Sequence, residues 1–393
     1  MRALALSFVV LFALSACGRT PHELPKAEPL SLGEALGGSP MGFARALGPR
    51  EFRFPEDHAE HADFRTEWWY TTGNLTGPDG EPYGFHFTIF RSGLRADPVP
   101  RTSRFAATQV WMAHFALTDG RTGEMHAFER FGRGAAGLAG SSLDPLAVWV
   151  DGWRLEGAGG DPLAPTLSLR AREGNFAIQL RLEAQKPLVL QGDRGLSQKG
   201  ALPGSASYYY ALTRLAATGT IEVAGTQVEV SGNAWLDREW STSLLEPGQV
   251  GWDWFALQLN DGTDLMVYQM RLERDGGTDV DPASHGAWIA PDGTKTHLGR
   301  EHYDIDPQRT WTSPRTGAVY PSGWQIEART PDGTRSYDLT VTPLIPDQEL
   351  DVSVVYWEGA VIVSGTDNAG NAISGAGYAE LTGYAQSAAP SAR

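Results

Sequence analysis

The residues best suited to chemistry lie in one short run, Trp235-Leu236-Asp237-Arg238-Glu239-Trp240. Successive side chains of an extended chain point to opposite faces, so Trp235, Asp237 and Glu239 share one side and Arg238 and Trp240 the other. On a face shielded from water, two carboxyls beside an indole would titrate unequally, because desolvation and like charge raise buried acids by about 3–5 units. A carboxylic acid that keeps its proton near neutrality is a general acid. The same residues fit a structural ion-pair cluster with Arg65 or Arg238 as its cation, since such clusters also perturb acids. Both readings stay open on the residues alone.

Other candidates share faces in the same way. His114 lies with Met112, Ala116 and Thr118, and His86 with Thr88 and Phe90. Each histidine reads either as a proton relay or polar anchor in a cavity, or as a hydrogen-bonded group on a semi-polar outer wall. Glu67 shares its side with Trp69, and Trp68 shares the other with Tyr70. Asp57, His58 and His61 resemble metal ligands. Their His-x-x-His spacing is not the His-Glu-x-x-His of zinc hydrolases and no helix is evident there, so they are read as ordering the lead-in to the first strand, with no metal. Gly132-Arg-Gly-Ala-Ala-Gly137 has no strand–helix–strand setting and reads as a loop. With no nucleophile elbow and no phosphate-binding motif, neither an α/β-hydrolase serine nor a cofactor is expected.

The elements that must position these residues occur twice. Thr66-Glu-Trp-Trp-Tyr70 turns at Asp79-Gly80 and returns through Phe85–Arg91, while Trp252-Asp-Trp-Phe255 turns at Asp261-Gly262 and returns through Leu265–Arg271. Asp-Gly tolerates the positive φ of hairpin turns. A closing strand recurs too, Gly232-Asn-Ala-Trp235-Leu-Asp237 matching Gly375-Ala-Gly-Tyr378-Ala-Glu380. Period-two alternation, as in Trp111–Thr118, and no convincing long amphipathic helix predict an all-β chain. Two tandem antiparallel β-barrels of lipocalin-like (calycin) size are expected, over residues 51–242 and 243–386.

Composition narrows the partners. At 393 residues two domains are the prior. A net charge of −15 repels phosphate backbones, so no nucleic acid is expected as a partner. Thirteen Trp and twelve Tyr provide rings to line an apolar site. Residues 1–16 read as an export signal, and Leu14-Ser-Ala-Cys17 resembles a lipobox with Cys17, the sole cysteine, as its lipidation site. Residues 17–50 read as the lipidated cysteine and a flexible Pro-rich tether, and 387–393 as a disordered tail. The expectation is a monomeric lipoprotein of a bacterial envelope, anchored to the membrane through Cys17 and facing the periplasm from the outer membrane.

Four segments carry a family resemblance: Phe54–Tyr70, Met112–Asp119, Ala234–Trp240 and Gly377–Tyr384. Over about residues 50–385 the chain resembles the AttH and carotenoid 1,2-hydratase (CrtC) group. The resemblance implies two lipocalin-like barrels and a hydrophobic small-molecule partner. It implies, if the protein is an enzyme, a hydro-lyase adding water to a polyene by acid catalysis. On that reading Asp237 is the acid, Glu239 and His114 tune it, and Trp235 and Tyr209 stabilise a cation, with His86, Glu67, Trp69 and Met112 as further ligand-binding residues. In such barrels a first-strand Trp plugs the closed end, and the resemblance favours that structural role for Trp68 and Trp69. Where the family motif reads Asp-His-Glu-Trp, this chain has Arg238 in place of the His. A non-catalytic carrier or chaperone of an apolar ligand is the alternative.

Overall fold

The computed structural model describes residues 30–385 except 38, 97–102, 104–105, 243–244 and 275–276. The export signal, Cys17, the start of the tether and the tail lie outside the described residues. Among the described residues, apart from a five-residue helix, Leu32–Leu36, and two short 3-10 turns, the regular structure is strand. Two large antiparallel sheets each curl into a nearly closed barrel.

Both barrels are up-and-down meanders whose last strand returns to the first. In the first, Thr66–Thr76 pairs with Pro82–Gly93 on one side and with the closing strand Thr226–Ser241 on the other. In the second, Gln249–Leu259 pairs with Asp264–Arg274 and with the closing strand Ala372–Leu381. The break in strand pairing also falls at matching places, after Glu124–Arg133 in the first barrel and after Lys295–Gly299 in the second. The shared Asp-Gly hairpin turns need the left-handed backbone, with Gly80 at φ +87° and Gly262 at φ +86°.

Side chains fill both interiors. Trp111, Phe115, Phe85 and Trp153 pack inside the first barrel, and Phe255, Trp288, Trp324 and Trp357 inside the second. Each buried ring of this kind removes about 150–250 Å² from water, roughly 4–6 kcal/mol of burial before entropy is counted. A narrow pocket of about 370 Å³, measured out to its mouth, remains between Trp69, Tyr210 and Leu167 of the first barrel. Apart from that pocket, both interiors are packed cores.

The barrels dock through their outer faces, so alternate residues on both sides of the same strands are buried. Tyr70, Tyr209 and Trp235 of the first barrel pack with Trp254, Met266 and Tyr378 of the second. The docking is reciprocal, as in an isologous contact. Asn74 Nδ2 donates to Gly377 O at 2.7 Å, and Gln258 Nε2, at the corresponding register position, donates to Ala234 O at 2.9 Å. Asp264 of the second barrel accepts from Lys186 and Arg214 of the first.

The described end of the expected tether is docked. Leu30–Ser31 pairs in parallel with Val354–Val355, Leu32 and Leu36 are buried, and Arg65 donates to the carbonyls of Leu36 and Gly37. Two leucines four apart on one helical face find an apolar patch of Phe90, Met112 and Tyr356, which outweighs the turn-rich composition of this stretch.

Candidate functional site

A cleft of about 720 Å³, measured out to its mouth, opens where the two outer faces diverge. Each barrel supplies the same four register positions to it: Trp68, Tyr70, Phe90 and Asp237 from the first, and Trp252, Trp254, Met270 and Glu380 from the second. Tyr209, Glu239, Lys199 and Tyr268 complete one side, and Leu32 and Leu36 cover the other. The walls are thus aromatic and aliphatic, with a few convergent polar groups, as in small-molecule sites.

Asp237 is held from two directions. Tyr209 donates its hydroxyl to Oδ2 and Trp235 its indole N–H to Oδ1, each at 2.6 Å. Both bonds favour the carboxylate, but burial outweighs them and, with the Glu239 charge, raises Asp237 to about 8. Burial likewise raises Glu380, whose carboxyl accepts from Trp252 Nε1 at 3.0 Å, to about 7. Glu239 pairs with Lys199 Nζ at 3.0 Å, and that ammonium lies 4.8 Å from the Tyr268 ring centroid and 5.3 Å from that of Tyr209. Around neutrality the cleft therefore holds a protonated acid among ring faces that can stabilise a cation.

The residues singled out in the sequence separate into three groups. Asp237, Glu239 and Tyr209 line the cleft, and Trp235 stands behind Asp237 as its hydrogen-bond donor. His114, His86 and Met112 lie elsewhere in the seam. Burial lowers His114 to about 3, and its Nδ1 meets the Tyr356 hydroxyl at 2.7 Å rather than either cleft acid. His86 Nε2 is bonded to the Thr88 hydroxyl, with its other nitrogen 3.8 Å from Glu358. Met112 packs under the helical cover.

Glu67 and Trp69 point into the first barrel and are not cleft residues. Glu67 is paired with Arg91 and Arg238, which hold it well below the usual carboxylate range against the opposing effect of burial. The Arg238 guanidinium lies 3.7 Å from the Trp69 ring centroid. The departure from the family motif at Arg238 thus falls on the inner face, away from the cleft, and Arg238 serves Glu67 rather than Asp237. Arg65 also turns elsewhere, to the helix end. Asp57 accepts from Arg50 and the Arg53 amide and lies 3.1 Å from His61 Nε2, tying down the lead-in to the first strand.

Sequence reasoning missed Glu380, Lys199, Trp252, Trp254 and Tyr268. Glu380 had a signal, because it repeats the spacing of Asp237 in the second closing strand.

The chain matches the AttH-like family model over residues 45–384. An AttH from Nitrosomonas europaea is 35% identical, with 87% of this chain and all of that one covered, at a TM-score of 0.73. Kievitone hydratase from Nectria haematococca shares the fold at 16% identity and a TM-score of 0.63, over 86% of this chain and 95% of its own. No match is found among curated proteins.

Proposed function

The chain belongs to the AttH-like family, and we propose that it binds a hydrophobic isoprenoid or polyene in the cleft between its barrels and hydrates a carbon–carbon double bond there. The observation that carries this reading is the buried Asp237 carboxyl, held by Tyr209 and Trp235 and facing an aromatic cleft, where burial raises its pKa to about 8. Asp237 would give its proton to the alkene, leaving a carbocation between the rings of Tyr209, Trp254 and Tyr268, and water would close the addition. Kievitone hydratase, named for a hydration, supports the reading through its shared fold. Lipidation at Cys17 would place this activity at the periplasmic side of the envelope.

The test is incubation of purified protein with lycopene, followed by mass analysis. Wild type yields a product one water heavier, and Asp237→Asn lowers the rate by about 10²–10⁴-fold, the usual contribution of a general acid. Unchanged turnover in that variant removes Asp237 from the chemistry. The carrier reading is favoured by the cover that Leu32 and Leu36 lay over the cleft. Native mass spectrometry of protein from its own cells would then find an unaltered apolar ligand.

A further inference from the structure

The second barrel places its own carboxyls at the same cleft. Glu380 is the register partner of Trp254 as Asp237 is of Tyr70, so the two acids occupy corresponding positions. Across the next strand Glu380 faces Glu358, which is fully buried. Directly opposed residues stand on one face with Cβ atoms about 4.5–5.5 Å apart, and two carboxyls that close and dry resist joint ionisation.

Tyr70 joins this pair to the first barrel, donating its hydroxyl across the seam to Glu358 Oε2 at 2.8 Å. Among the described residues, Glu358 Oε1 and His86 Nδ1 have no hydrogen-bond partner, and the two atoms lie 3.8 Å apart. The remaining ionisable groups acting on the two glutamates are Tyr70, Glu239 and Lys199, with Tyr356 and Tyr378 beside Glu358.

We propose that Glu380, held by Trp252 and standing opposite Glu358, is the second proton-exchanging group of the cleft, so that hydration uses a donor from one barrel and an acceptor from the other. The catalytic half of this proposal rests on the hydration reading. In that step the Asp237 O–H bond breaks as a C–H bond forms at one alkene carbon. The other carbon, left without its π electrons, takes a lone pair from water to form C–O. The O–H bond of the resulting oxonium breaks, its proton passing to the Glu380 carboxylate. One water has been added and one proton has moved between carboxyls, to be returned through solvent. Burial raises both acids toward neutrality, Glu380 to about 7 and Asp237 to about 8, and both line the cleft.

The test is an infrared titration of carboxyl groups in the full, ligand-free chain, which needs no substrate. Two protons should leave the cleft near neutrality. Glu380→Gln removes the lower step, Glu380→Asp restores it, Trp252→Phe raises its midpoint by removing a donor to the carboxylate, and Asp237→Asn removes the upper step. A lower step that persists in Glu380→Gln overturns the proposal, and the reading of Asp237 survives if its own step is lost in Asp237→Asn. With lycopene as probe, Glu380→Gln should abolish the acid limb of the kcat profile and lower kcat about tenfold or more at unchanged KM. An intact acid limb contradicts the acceptor role even where Asp237→Asn is inactive.

Discussion

Glu67 and Asp237 sit on adjacent strands of the first barrel, one facing inward and the other outward, and are 0% and 5% exposed. Burial alone would raise both. Glu67 is instead held ionised by two guanidiniums, whereas Asp237 has a phenol and an indole as hydrogen-bond donors and keeps its proton to about 8. Neighbours, not depth, decide which buried carboxyl is a strut and which is an acid. The strut closes the end of a packed barrel, and the acid opens onto the space between barrels.

The largest effect should come from breaking the strut. Glu67→Gln leaves Arg91 and Arg238 without their buried counter-charge and should cost about 3–5 kcal/mol in denaturant unfolding, with little change at the cleft. Equal stability in that variant would mean the cluster contributes nothing.

Asp237→Asn should act in the opposite direction. A folded-state pKa raised from 3.8 to about 8 means that the native state binds the extra proton, so its contribution to stability falls as pH rises between those values. Near about pH 9 Asp237→Asn should exceed wild type by roughly 1–3 kcal/mol, and near about pH 4 the gain should vanish. A gain independent of pH would point to packing instead. Glu67, with its pKa lowered, contributes stability that is lost as the solution becomes acidic.

Tyr209→Phe is the smallest of these changes, about 1 kcal/mol for one hydrogen bond. Its donation favours the ionised acid, so its loss should move the Asp237 midpoint above about 8. A midpoint that falls would show the phenol acting on the protonated form.

Alternation in the sequence groups Trp235, Asp237 and Glu239 correctly, and the repeated hairpin and closing strand match two sheets that each close on their first strand. Alternation does not say which face turns inward. A period of two sorts residues into two sets without labelling them, which is why Glu67 and Trp69 read as ligand-binding from the sequence while Trp68 and Tyr70 line the cleft. Docking of the barrels is a contact between distant segments, which local pattern does not encode. Lys199 therefore carries no sequence signal, because it lies outside the repeated strands and gains its role only against Glu239 and Tyr268.

Isotope-edited NMR of the ligand-free protein with labelled aspartate follows the cleft acid itself, the Asp237 signal being identified by its loss in Asp237→Asn. A proton donor in the cleft requires that this carboxyl titrate with a midpoint of about 8. A midpoint near the ordinary aspartate value of 3.8 would contradict it.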